Sequence, residues 1–239
     1  MRRLRIAVRL ALLIGWLLLC IPAYILSRLV TRRRIVPRIF LGGVARMMGV
    51  RIATTGKLEP RAILLANHLS WLDIPIIAAC TGSAFVGHDG IAQSKFLKWL
   101  AEMNDTVFIA RTRRQTVTHQ IEQVRDALDI SHVLTLFPEG TTNDGADLLP
   151  LKSSLLSAID PAPEGVAVQP VFLDFGPAAQ EIAWVGDEPG LDNFFKVLGR
   201  PAPLNVTVHF LPPLTGESLA GRKTIAAATR RTLEQAMGR

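Results

Sequence analysis

The stretch Leu64–Asp73, LLANHLSWLD, decides how the rest of the chain is read. An apolar run with the character of a buried strand stops at Asn67 and His68, and Asp73 follows His68 with four residues between. Within one regular helix, five residues would turn His68 and Asp73 about 140° apart, and their side chains could not meet. The pair must therefore straddle the end of a strand, Arg61–Asn67, and the start of a helix. Open α/β sheets place their working groups at such strand ends. Two readings fit the residues. Ser70 and Asp73 make a capping box, with Asp73 an N-cap before Ile74-Pro75; equally, His68 and Asp73 make a general base and its orienting carboxylate.

Outward from this stretch, short apolar runs alternate with helix-like ones. Residues 105–111 (DTVFIAR), 132–140 (HVLTLFPEG), 166–175 (VAVQPVFLDF) and 205–214 (NVTVHFLPPL) read as strands, β-branched or aromatic and bounded by Pro, Gly or Asn. Between them DIPIIAAC, SKFLKWLAEM and TVTHQIEQVRDALDI have helical periodicity, and Val117, Ile121, Val124 and Leu128 keep to one face of the last. GRKTIAAATRRTLEQAM reads as a surface helix. Buried strands separated by helices imply an α/β fold, a mixed and largely parallel sheet flanked by helices. There is no internal repeat and no linker, so residues 41–239 are expected to form one α/β domain behind an N-terminal arm over residues 1–40.

Two further strand ends carry reactive groups. In TLFPEGTT (Thr135–Thr142), Gly140 permits a tight turn whose backbone N–H groups can cradle an anion; an ordinary strand-to-loop turn fits as well. VFIARTRR delivers Arg111, Arg113 and Arg114 to one edge, suited to bidentate recognition of phosphate or carboxylate, or to a solvated basic edge.

The arm is apolar and basic. Residues from Leu10 to Ser27 are uncharged, with arginines on both sides. As one helix they would span about 27 Å, just short of a hydrocarbon core. No clean cleavage site follows, and Arg32, Arg33 and Arg34 would have to be translocated, which argues against a secretory signal. Pro22 is expected to break or kink the helix. A single short transmembrane helix and a bent helical pair in one leaflet both remain; arginines on both flanks favour the pair.

Across the whole chain of 239 residues the net charge is +7 and 49% of residues are hydrophobic. Such a balance suits an anionic partner, a lipid surface or a nucleic acid. The basic residues cluster beside the apolar arm and lack interleaved aromatic platforms, which sets nucleic acid last. Cys20 and Cys80 match no metal-ligand spacing, and their use fits a reducing, cytosol-facing location.

Taken in order, these motifs resemble the membrane-associated glycerolipid acyltransferases, typified by bacterial 1-acyl-glycerol-3-phosphate acyltransferases. Asn67, His68, Ser70 and Asp73 meet that family's Asn-His-x-Ser-x-x-Asp pattern. Phe108, Ile109 and Arg111 meet Phe-Ile-x-Arg, and Phe137, Pro138, Glu139, Gly140 and Thr141 meet Phe-Pro-Glu-Gly-Thr. Gln169-Pro170-Val171 meets a fourth, a proline within an apolar strand. The likeness runs from about Ile63 to Val171, together with the arm. Its departures are His88 where a lysine is usual, Ala110 before the motif arginine, and Lys152-Ser153-Ser154 where Lys-x-Gly is usual. The stretches EGTTNDGADLLPLKSSLL and WVGDEPGLDNFFKVLG look similar to the branch that acylates lyso-ornithine lipids.

The resemblance implies an acyltransferase that moves an acyl chain from acyl-ACP or acyl-CoA to the hydroxyl of a lysolipid. Lysophosphatidic acid stands first as acceptor and lyso-ornithine lipid second. His68 would be the general base and Asp73 its orienting acid, with no acyl-enzyme, since no Gly-x-Ser-x-Gly elbow occurs. Asn67, Ser70, Arg111, Glu139, Gly140 and Thr141 would contact substrate, the last four at the acceptor headgroup. No metal and no further cofactor are implied, and no nucleic-acid partner. The place implied is the inner membrane, with the active site facing the cytoplasm. An idle lipid-binding protein on the same fold is the alternative of a different class, and the intact His68/Asp73 pair argues against it.

Overall fold

Residues Ala62–Ala66 form strand β2, and all five are buried. Ala62, Leu64 and Ala66 enter one apolar cluster while Ile63 and Leu65 enter another, so layers cover the sheet on both faces. The computed structural model describes residues 1–31, 34–88, 95–109, 117–201 and 203–239. Within them β2 is joined by β1 (Val50–Gly56), β3 (Ala84–His88), β4 (Val107–Ile109), β5 (Val133–Leu136), β6 (Ala167–Asp174) and β7 (Leu204–Phe210). The sheet order is β1-β7-β6-β2-β5-β3-β4. Neighbours run parallel except β6 and β7, which are antiparallel. The sheet is thus mixed and mostly parallel, flanked by helices, as the alternating pattern implies.

One face carries α1 (Arg2–Val30), α2 (Ile35–Met47), α3 (Asp73–Thr81), α6 (Ala179–Ile182) and α7 (Gly190–Leu198). The other carries α5 (Val117–Ser131), α8 (Arg222–Ala236) and a 3₁₀ stretch, Ser153–Ile159. Val124 and Leu128 of α5 are fully buried there; the side chains of Val117 and Ile121 lie outside the described residues. Pro170 is tolerated inside β6 because the β7 ladder reaches only Val171–Asp174, so no N–H is wanted of it on that side.

The arm departs from expectation in two ways. α1 runs through Pro22 without a break, and at 1.5 Å per residue its 29 residues span about 43 Å. The helical pair is made by α1 with α2, not by a bend at Pro22. α2 also runs across the boundary expected between residues 40 and 41.

Contacts hold α1 to the body along its length, which offsets the backbone bond that Pro22 forfeits. Arg5 donates to the Gly199 carbonyl, and Arg9 donates to the carbonyls of Leu198 (2.7 Å) and Arg200 (3.0 Å). Midway, Trp16 Nε1 donates to the Phe40 carbonyl of α2 at 3.0 Å, beside Gly43, where any Cβ would collide with the indole. Near its far end Arg28 pairs with Asp105. The buried Arg34, between α1 and α2, donates to Asp105 (3.1 Å), to both oxygens of Asn104 and to the Gly82 carbonyl (2.8 Å). Burial pulls this guanidinium down to about 10, with Asp105 opposing.

The outer face of α1 is apolar and open. Leu4, Val8, Leu12, Ile14, Leu18, Leu19, Ile25, Leu26, Leu29 and Val30 are exposed, and at 100° per residue they fall within about 160° of one another. α1 is the one helix among the described residues long and apolar enough to cross a membrane.

Candidate active site

The register of the sheet brings the two central motifs together. β2 and β5 are parallel neighbours, with Leu65 level with Leu136. Three residues further on, His68 and Glu139 emerge side by side at the C-terminal rim. Asp73 opens α3 and is fully buried, and its Oδ2 accepts three N–H groups. These are the His68 ring Nδ1 (2.7 Å) and the backbones of Leu69 (2.7 Å) and Ser70 (2.9 Å). Asp73 is the first helical residue and not the N-cap, which is Leu72, and its own N–H goes to the Ser70 carbonyl and not to the Ser70 hydroxyl. Only the half of a capping box in which its carboxylate accepts from Ser70 N–H is formed, and the same oxygen orients the ring. A carboxylate accepts, so the His68 proton resides on Nδ1 and Nε2 keeps its lone pair. Asp73 Oδ1 is buried and has no partner among the described residues.

The ring is held on its flat side as well. It stacks on Phe137 at 4.0 Å between centroids and 16° between planes, and Phe137 in turn stacks on Phe85. The His68 side chain is left 18% exposed. What results is an imidazole at the rim with its Nδ1 fixed by Asp73 and one face fixed by Phe137.

Three residues expected to touch substrate are buried and bonded within the scaffold. Asn67 is buried and exchanges both amide bonds with Leu173 of β6: its Nδ2 donates to the carbonyl at 3.1 Å, and its Oδ1 accepts the N–H at 2.7 Å. Ser70 is fully buried in the turn before α3, its oxygen 3.4 Å from Leu72 N. Glu139 is fully buried too; Oε1 accepts from His68 N at 2.9 Å, while Oε2 accepts from Asn143 Nδ2 (2.5 Å) and Leu149 N (2.9 Å). Burial pushes the Glu139 carboxyl above its ordinary value, against the pull of these donors. All three side chains are buried and bonded within the protein, and they fix the loop that carries His68.

Gly140, at φ +69°, turns the chain outward, and Thr141 beyond it is exposed. Arg111, with Arg113 and Arg114, lies outside the described residues. Two partners are not evident in the motifs. Lys152 brings its ammonium beside Gly140, 3.2 Å from where a Cβ would stand, a cation next to an open backbone turn. The Trp184 peptide links both loops: its N–H donates to the Leu69 carbonyl at 2.9 Å, and its carbonyl accepts the Thr142 hydroxyl. Nothing in the local sequence around Trp184 marks it for this, because the contact is made through backbone atoms.

The chain is similar to known proteins. Residues 46–174 match the model of the family described as Acyltransferase. A lyso-ornithine lipid O-acyltransferase of Rhodobacter capsulatus is 32% identical over 199 residues, covering 80% of this chain and 72% of that protein. A 1-acyl-sn-glycerol-3-phosphate acyltransferase of Neisseria gonorrhoeae is 31% identical over 147 residues, 60% of this chain and 58% of that protein. The crystal structure of the 1-acyl-sn-glycerophosphate acyltransferase PlsC from Thermotoga maritima superposes with a TM-score of 0.63 at 19% identity, covering 100% of this chain and 99% of that one. The last is a likeness of fold.

Proposed function

This chain belongs to the acyltransferase family, in its lysolipid acyltransferase group, and from that premise we propose that it acylates the hydroxyl of a lyso-ornithine lipid from an acyl thioester. The observation that carries the chemistry is the 2.7 Å bond between His68 Nδ1 and Asp73 Oδ2 at the rim of β2. His68 Nε2 takes the proton of the acceptor hydroxyl as its oxygen attacks the thioester carbonyl. Asp73 stabilises the imidazolium so formed, its unpartnered Oδ1 leaving charge to be answered. The tetrahedral adduct then expels the thiolate, which takes the proton back from Nε2, and an ester and a thiol leave. No covalent acyl-enzyme is needed.

The choice of acceptor rests on the relatives. Likeness to a lyso-ornithine lipid enzyme extends over 80% of the chain, against 60% for a glycerol phosphate enzyme, and this reverses the order that the motifs suggested. Lys152 beside Gly140, with the exposed Thr141, would take an anionic group of the headgroup. Lysophosphatidic acid is the second reading, favoured by the same ammonium, which suits phosphate as well as carboxylate.

The arm supports a one-leaflet attachment at the cytoplasmic face of the inner membrane. A helix tied to the body at Arg5, Arg9, Trp16 and Arg28 lies along that body; it offers its apolar face sideways to lipid instead of passing through.

The test offers the purified protein a labelled acyl-CoA or acyl-ACP with each lysolipid in turn, and His68→Ala as control. We expect product from lyso-ornithine lipid and a fall of roughly 10²–10⁴-fold in the variant. Product from lysophosphatidic acid alone would move the acceptor to the second reading, and equal rates for wild type and variant would sink the mechanism.

A further inference from the structure

Between the last turn of α2 and the start of β1 lies a cavity of about 590 Å³. That is the size of a small-ligand site, roughly 300–1,000 Å³. Arg46 of α2 and Arg51 of β1 line it, with Gly42, Gly49 and Pro203. Both arginines are exposed, and among the described residues neither has a hydrogen-bond or ion-pair partner. The surroundings are positive as well. Arg9 Nη2 lies next to Gly49, 3.4 Å from where a Cβ would stand, and burial together with Arg5 and Arg200 holds Arg9 below its ordinary value. Of the nearby carboxylates, Glu181 is taken up by Arg200 at 3.1 Å. Two free guanidinium groups across a cavity in a positive field select a phosphate-like anion.

The position of the cavity says where that anion comes from. At 100° per residue, Ile35, Ile39 and Arg46 lie within about 40° on α2, and Ile35 and Ile39 are among the exposed apolar residues. Arg46 therefore continues the face of the arm that meets lipid. Because β1 and β7 run opposite to β6 and β2, the start of β1 shares a rim with His68. Three strand spacings, about 14 Å, separate the two, which is too far for one headgroup to serve both places.

We propose that the cavity between Arg46 and Arg51 binds the phosphate of an anionic membrane lipid, distinct from the lysolipid at His68, and so sets the rotation of the enzyme on the bilayer. The site rests on the one-leaflet reading of the arm. A phosphate-bearing thioester donor has the same chemistry, and the test separates the two.

The test compares the full-length protein, Arg46→Gln/Arg51→Gln and, as a control of equal charge, Arg222→Gln/Lys223→Gln on the opposite face of the sheet. Each is sedimented with phosphatidylcholine vesicles and with vesicles containing phosphatidylglycerol, and the KM for acyl-CoA is measured. All three should bind neutral vesicles alike. The Arg46/Arg51 variant should lose about 20-fold in affinity for the anionic vesicles, the control no more than about twofold, with the donor KM unchanged. Arg46→Lys/Arg51→Lys, which keeps charge without the planar fork, should recover part of the loss. Equal gain on anionic vesicles for wild type and Arg46/Arg51 variant overturns the proposal. So does a raised donor KM with vesicle binding intact, which hands the cavity to the donor. Failure of the wild type to bind neutral vesicles brings down the one-leaflet reading instead.

Discussion

His68 shows how much a single side chain owes to its neighbours. Its tautomer is set by Asp73, its plane by Phe137 and its backbone N–H by Glu139. Replacing Asp73 by Ala would remove the one oxygen that accepts from Nδ1 and from the Leu69 and Ser70 N–H groups, and so free both the ring and its tautomer. We expect a loss of roughly 10³–10⁴-fold in turnover, with the loop loosened because two backbone N–H groups lose their acceptor; steady-state kinetics and a thermal melt read the two effects separately. Glu139 gives a pH signature. Its folded carboxyl binds a proton more readily than an ordinary carboxyl of about 4.5. The stability it contributes is therefore complete below that value and declines as pH rises through the raised one. In urea melts at stepped pH, the stability of wild type minus Glu139→Gln should fall as pH climbs above the ordinary carboxyl value; a flat difference would mean that burial does not tune this group.

At the scale of elements, the arm is fastened by arginines. Truncating Arg34 to Ala leaves the Asn104 and Gly82 carbonyls without this donor and Asp105 with Arg28 alone, and a loss of about 3 kcal/mol is expected from breaking a buried ionic contact. Chemical denaturation of the two proteins in the same detergent checks it. Much of this layer was legible beforehand. The runs of β2, β4, β5, β6 and β7 stood out, as did α3, α4 (Lys95–Met103), α5 and α8, because buried strands and amphipathic helices print their period on the sequence. β1 did not, since its last four residues are exposed at the sheet edge and carry no apolar alternation. β3 is short, with Gly87 near its end. The spacing of His68 and Asp73 allowed their pairing beside a helix cap and the family resemblance chose it, but neither told of the inward turn of Asn67, Ser70 and Glu139. A polar residue in a motif looks the same whether it faces a ligand or a neighbouring strand.

For the whole molecule, α1 lying along the body predicts that both chain ends face one aqueous side. Single cysteines placed at residue 2 and residue 238, in a background lacking Cys20 and Cys80, should both react with an impermeant thiol reagent only when the cytoplasmic side is open to it. Labelling of the two from opposite sides would restore a spanning helix. The Trp184 peptide carries a different consequence, one of timing. It fastens the Leu69 and Thr142 loops, yet it is synthesised more than a hundred residues after the first of them, and β1 waits longer still for its neighbour β7. During translation both rim loops emerge before the Trp184 segment that fastens them, so in the proposed reading the nascent chain meets the membrane while its reactive centre is still unformed. Assembly of so many distant pairings is slow, and the proposed activity would wait until nearly all of the chain has left the ribosome.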